Sequence, residues 1–210
     1  MALGHRIKIE ATVIDIKSDT PKSTDRFFVD TNVWLFAYYP RATLSNQERL
    51  RNAGVLTYID KARQANAVLY RLGLSLSEVA NVIEREESKS YFQFPNYIPS
   101  KKIKEYRYEH LCERRKTLDK IRRCWLKVKL ASQSIDLPID DTVTDDSLVS
   151  LQGYFLDGYD IFFYEAMKSN NTIQIITDDC DFATIPGIQV FTESQGLIAE
   201  AIKQGKILTR

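Results

Sequence analysis

Two short apolar runs, Phe27-Phe28-Val29 and Ile173-Gln174-Ile175-Ile176, lead straight into carboxylates, Asp30 in the first case and Asp178, Asp179 and Asp181 in the second. Runs of this length are strand-sized, and their nearly unbroken apolar character suits strands covered on both faces. The clearest strand is 172–177, with others expected at 7–13, where Ile7, Ile9, Ala11 and Val13 alternate with polar residues, and at 68–70, 137–139 and 189–192. Helical periodicity occupies 45–66 (Leu50, Val55, Leu56, Ile59), 76–87, 142–152, 155–167 and 195–204, and a long basic helix is expected over 103–132. Strands alternating with helices predict βαβ units and an α/β fold with a parallel sheet covered on both faces.

With 210 residues, 44% of them hydrophobic, the chain can bury one substantial core and is short for two. The stretch "SDTPKSTD" at 18–25 reads as a linker. Net charge is only +1, but residues 101–129 hold twelve Lys or Arg against four Asp or Glu, and 130–167 hold eight acids and no base. A basic segment is therefore followed by an acidic one. Three cysteines, at 112, 124 and 180, make no C-x-x-C pair and fit a reducing compartment, and His110-x-Cys112 lacks a fourth zinc ligand. No apolar leader or membrane-length run is present, so a cytoplasmic protein is expected.

Clustered carboxylates repel by about 1 kcal/mol in water and about 4 near a protein surface, so such a crowd needs a positive partner. Ligands in open α/β sheets sit beyond the carboxyl ends of the strands, where Asp30 and the Asp178, Asp179 and Asp181 group would lie. If the two strands are neighbours, these acids converge. The alternative is that each only caps the following element. Ser75-x-x-Glu78 has the form of a capping box, and Asp157 could cap a helix that carries Asp160 in its first turn. Asp160, followed by Ile161-Phe162-Phe163, has an apolar setting that calls for a partner. One assembly accounts for all of them: carboxylates from separate segments gathered around hard divalent cations, Mg²⁺ or Mn²⁺.

The segments "FFVDTNVW", "SLSEVANVI", "DIFFYEAM" and "IITDDCDF", in that order, resemble the four acidic motifs of the PIN-domain family, which includes the VapC-type toxin ribonucleases. The resemblance covers roughly 27–191 and implies a three-layer α/β/α fold around a Mg²⁺- or Mn²⁺-dependent nuclease site. Its metal-binding and catalytic acids fall on Asp30, Glu78, Asp160, Asp179 and Asp181, with Asn32 and Thr177 at polar positions that orient the site; by their own spacing, Asp157 and Asp178 are expected as capping residues that support it. It further implies hydrolysis of RNA phosphodiesters with two metal ions, an antitoxin partner if the chain is a toxin, and a homodimer. Relative to the compact toxins, this chain adds a strand-like extension over 1–25 and a helical insertion at about 88–135 within a single domain spanning 26–210.

Within that insertion, Lys101, Lys102, Lys104, Arg107, Arg114 and Arg115 could follow an RNA backbone, and Tyr91, Phe92, Phe94, Tyr97, Tyr106 and Tyr108 could stack on bases. The alternative is that the rings fill a small local core. A haloacid-dehalogenase-like phosphatase would need an acid two residues after Asp30, where Asn32 cannot supply a proton. A non-catalytic RNA- or protein-binding module of the same descent would have no use for the full acid set.

Overall fold

The apolar runs become strands of one sheet. The structure is a computed structural model and describes residues 7–39, 46–92 and 99–210. In chain order the elements are β1 (Thr12–Asp15), β2 (Arg26–Val29), α1 (Thr31–Tyr38), α2 (Asn46–Gln64), β3 (Val68–Leu72), α3 (Ser75–Tyr91), α4 (Pro99–Glu109), α5 (Leu111–Ala131), β4 (Gln133–Ile135), α6 (Asp141–Gly153), α7 (Asp160–Ser169), β5 (Gln174–Ile176), β6 (Gln189–Thr192) and α8 (Gln195–Lys203). A 3₁₀ turn, Asp181–Thr184, lies between β5 and β6. Among the described residues the sheet has six strands in the order β1-β6-β5-β2-β3-β4, and every pairing is parallel.

Side chains alternate across a strand, so one run feeds two cores. Phe28, Ile175 and Val190 pack with Ile161 and Phe163 of α7 and Leu197 and Ala201 of α8. Phe27, Val29, Ile176 and Phe191 face the other way, against Trp34 of α1, Val55, Tyr58 and Ile59 of α2 and Val128 of α5. Each fully buried Phe contributes about 3 kcal/mol, which is why neither face of β2 tolerates a polar residue. Helices cover both faces, an arrangement compatible with an α/β/α sandwich.

From β2 the chain steps outward to β3 and β4, then returns to β5 on the other side of β2 and continues to β6. The winding direction reverses between β2 and β5, and the crevice beyond the carboxyl ends of such a pair is the ligand site of open α/β sheets. Among the described residues, no helix is long and apolar enough to cross a membrane.

Several boundaries differ from the sequence reading. Ile9 and Ala11 are buried as their alternation predicts, but their amides bond to the Gln204 side chain and the Ala183 carbonyl, so the ladder with β6 begins only at Thr12. β1 is thus an edge strand of the same sheet. The strand expected at 137–139 lies instead at Gln133–Ile135; Pro138 has no amide to give a ladder. The basic stretch forms two helices rather than one, because His110 leaves the helical region at φ −116° and ψ 57°. Its ring Nδ1 lies 3.0 Å from the Tyr91 hydroxyl, and Tyr106 meets Thr117 at 2.7 Å across the α4–α5 pair. The insertion therefore comprises the end of α3, α4, α5 and β4.

The 18–25 segment is pinned rather than free. Arg210 makes paired hydrogen bonds to both Asp19 (2.9 and 2.8 Å) and Asp25 (2.7 and 2.9 Å), with its guanidinium 4.6 Å from the centre of the Phe191 ring.

Candidate metal centre

Asp30 and Thr177 stand at the carboxyl ends of the paired strands β2 and β5, tied by the Asp30 amide to the Ile176 carbonyl. Asp30 is buried, and its two oxygens do different work. Oδ1 accepts from the Asn32 amide at 3.2 Å and caps α1, while Oδ2 accepts from the Thr177 hydroxyl at 2.6 Å. Capping and clustering therefore both hold at this position. The same Thr177 oxygen accepts from the Asp179 amide at 2.9 Å, and Asp179 Oδ1 accepts from the Asp181 amide at 2.9 Å. One hydroxyl thus orients acids from two strands, and the tight turn after β5 presents Asp179 and Asp181 side by side.

Glu78 lies in the first turn of α3, but the capping box is not formed. Leu74 occupies the cap position without a side-chain bond, and the Ser75 hydroxyl is buried with no partner among the described residues. Glu78 is free to face Thr31, whose buried hydroxyl lies close enough to favour its ionised form without a hydrogen bond of ordinary geometry. Asp157 Oδ1 accepts from the amides of Tyr159 and Asp160 at 2.8 and 3.0 Å, which fixes the turn that delivers Asp160 at the start of α7.

The electrostatics show that these acids share one space. Burial pushes Asp30 up to about 7, opposed by the Thr177 bond and reinforced by repulsion from Glu78 and Asp179. Burial also pushes Asp160 up to about 9, with Asp30, Asp157, Asp179 and Glu78 all adding to the rise. Glu78 and Asp181 are raised as well, by burial first and then by neighbours that include Asp179 and Asp157. Among the described residues, none of the principal influences on these four carboxyls comes from a Lys or Arg. Within the described residues, protonation or a bound cation would relieve the repulsion among them.

The donor set fits a hard cation: carboxylate oxygens from four segments, with oriented hydroxyls beside them. The side chains of Asp179, Cys180 and Asp181 offer ligand atoms all within 4.8 Å of one another and could hold a metal ion.

Comparison with protein-family models, curated proteins and solved structures yields no match.

Around this centre, Asp178 turns away: its Oδ1 accepts from the Thr192 hydroxyl at 2.6 Å and from the Glu193 and Ser194 amides at 3.1 Å, joining the end of β5 to the β6–α8 turn. Asn32 contributes its amide to Asp30, and its side chain is exposed. Thr31 and Cys180 are neighbours of the acids that were not singled out from the sequence. Thr31 stands between Asp30 and Asn32 in the first motif, and Cys180 is flanked by the two acids of the last one.

The basic residues proposed for RNA are divided. Arg107 is committed to a two-pronged ion pair with Glu84, and Lys102 pairs with Glu105 at 2.8 Å over the Phe92 ring. Arg114 is half-buried, Lys104 and Arg115 are exposed, and the Lys101 side chain lies outside the described residues, as do Phe94 and Tyr97. Tyr91, Phe92, Tyr106 and His110 pack edge to face between α3 and α4 around the buried Tyr106, with Tyr91 at the exposed side of the group, and Tyr108 is exposed.

Proposed function

We propose that the chain is a PIN-like, metal-dependent nuclease that hydrolyses RNA phosphodiester bonds. The observation that carries this reading is the convergence of Asp30, Glu78, Asp160, Asp179 and Asp181 on the crevice where the winding of the sheet reverses, with four of the five held above the usual carboxylate range. When bound there, Mg²⁺ or Mn²⁺ would supply Lewis acidity at the phosphate and lower the pKa of water. The five acids would hold the cations. Thr177 fixes the separation of Asp30 from Asp179, and Asp157 fixes the turn that aims Asp160. Among the described members of the basic set, Lys104 and Arg115 are exposed and would meet phosphate.

The test is incubation of labelled RNA and single-stranded DNA with the protein in Mg²⁺, Mn²⁺ or EDTA. Cleavage is expected with either metal and none with EDTA. Cleavage indifferent to EDTA, or tight RNA binding without cleavage under every metal condition, would overturn the reading.

Thr177 offers a second measurement. Thr177→Val keeps the size but removes the hydroxyl that serves Asp30 and Asp179, and is expected to weaken Mn²⁺ binding and cleavage by about 10- to 100-fold. Thr177→Ser should recover most of the loss. Equal activity in Val and wild type would remove Thr177 from any positioning role.

A further inference from the structure

Two aromatic rings stand outside the core beside the acids. The loop from α6 to α7 runs Tyr154-Phe155-Leu156-Asp157-Gly158-Tyr159, and Asp160 opens α7. Phe155 is 78% exposed and Tyr159 42% exposed, while Leu156 between them is buried. On a loose loop such rings could fold back onto the nearest apolar surface, but this loop is pinned. The Tyr154 amide donates to the Ser150 carbonyl at 2.9 Å, and the Tyr154 ring packs edge to face on Tyr164 with 5.2 Å between ring centres. Leu156 sits in the core of the sheet, and Asp157 closes on the amides of Tyr159 and Asp160.

The loop also adjoins the metal centre. Each ring lies two residues from Asp157, at most about 7 Å along the chain, and the charge of Asp157 reaches Glu78, Asp160 and Asp181. Tyr159 directly precedes Asp160. A methyl group at Gly158 would meet nothing within 4 Å beyond its chain neighbours, so the surface between the rings is open.

Charge limits what can be held there. Residues 130–167 include eight acids and no Lys or Arg. A polyanion reaching the centre from this side is repelled by the side chains of that stretch, so uncharged contact must supply the grip. Any base offers a flat π face to an aromatic ring, and stacking of this kind is tolerant of sequence. Bases inside a duplex stack on one another and withhold those faces, whereas unpaired bases can splay onto a protein ring.

We infer that Phe155 and Tyr159 form a stacking platform for unpaired bases flanking the phosphodiester bond to be cut, an assignment that rests on the nuclease reading and adds to it a preference for single strands. Lys104 and Arg115 meet phosphate by charge and the rings meet bases without it, so the two contributions separate by their salt dependence.

The experiment follows the fluorescence anisotropy of a short labelled RNA of unstructured sequence, titrated with the full chain in Ca²⁺, a hard cation that takes carboxylate oxygens. Phe155→Ala and Tyr159→Ala are each expected to weaken binding about 5- to 150-fold. Phe155→Trp and Tyr159→Phe keep a ring and should bind like wild type. The factor lost in the Ala variants should be the same in low and high salt, whereas that of Lys104→Ala with Arg115→Ala should shrink as salt rises. The same RNA annealed to its complement should bind wild type and the two ring-to-Ala variants alike. Circular dichroism and the Mn²⁺ shift in melting temperature check that each variant is folded with its acids in place. Folded Phe155→Ala and Tyr159→Ala variants that bind the RNA as wild type does would overturn the inference and leave the rings, with the exposed Leu148 and Val149, to a protein contact. So would an equal loss on the duplex, a loss that fades with salt, or Phe155→Trp and Tyr159→Phe variants as weak as the Ala variants. Ring-dependent RNA binding without cleavage in Mn²⁺ would uphold the platform and overturn the nuclease reading alone, and a wild type that binds no RNA would overturn both.

Discussion

Asp30→Asn is expected to abolish cleavage, by about a thousandfold or more, while making the metal-free protein more stable. The two effects share one cause. Asp30 is fully enclosed, and its carboxyl is pushed up to about 7 by burial and by the neighbouring Glu78 and Asp179. A folded-state pKa above the unfolded one contributes stability that is fully present below the unfolded pKa and is lost as pH rises through about 7. Keeping this carboxylate ionised at about pH 9 costs on the order of 4 kcal/mol relative to the unfolded chain. Asparagine is nearly isosteric, keeps an oxygen for the Asn32 amide and carries no charge, at the expense of about 1 kcal/mol for the weaker link to Thr177. The metal-free variant should therefore melt roughly 5 to 10 °C above wild type near pH 8, with the gap shrinking towards pH 5. Asp160, pushed up to about 9, acts with the same sign, so wild type should go on losing stability up to that pH. Mn²⁺ should raise the melting temperature of wild type more than that of the variant, because it relieves repulsion the variant already lacks. A stability gap independent of pH, or equal Mn²⁺ shifts, would show that Asp30 does not share a charged site with the other acids.

How much of this was readable beforehand follows from the range of each interaction. The strand ends at Asp30 and Asp179 were legible because a short apolar run stopped by acids is a local pattern. That β2 and β5 are neighbours was not, since their pairing joins Phe27 to Gln174 and no local signal encodes it. Glu78 was ambiguous for the opposite reason. Ser75 and Glu78 satisfy a local rule, but packing buries the Ser75 hydroxyl inside the helix start, and the expected exchange of hydrogen bonds is lost. The break at His110 carries no Gly or Pro to announce it, because it is imposed by ring packing against Tyr91 and Phe92. The commitment of Arg107 to Glu84 likewise depends on α4 lying beside α3. The local pattern marked Asp30 and the acids after β5, and the pairing of β2 with β5 sets them at neighbouring strand ends.

The largest structural loss is expected from Arg210→Ala. A tail arginine and a Ser/Asp-rich linker look expendable in the sequence, yet the guanidinium is only 10% exposed and the carboxylates of Asp19 and Asp25 are 0% and 4% exposed. Each acid is gripped by two hydrogen bonds in the paired geometry that a planar guanidinium supplies, and the Tyr58 hydroxyl adds a further bond to Asp19. Burial alone would raise the Asp25 carboxyl, but Arg210, the Lys22 amide and Gln174 together hold it below its ordinary value. Removing the cation leaves two buried carboxylates facing each other, at about 3 to 5 kcal/mol, or a melting temperature lower by on the order of 10 °C. Arg210→Lys should recover only part of this, since an ammonium cannot grip both acids in pairs. The sign with pH is opposite to that at Asp30. A depressed carboxyl contributes stability that is present above its unfolded pKa and lost as pH falls through the folded value, so the deficit of Arg210→Ala should narrow at acid pH as Asp25 takes up its proton. Thermal melts of the three proteins from acid to neutral pH provide the check. An Ala variant that melts with wild type at neutral pH would mean that the linker holds its place without this ion pair, and that β1 is fastened well enough by the β6 ladder and the Val13–Ile207 bridge.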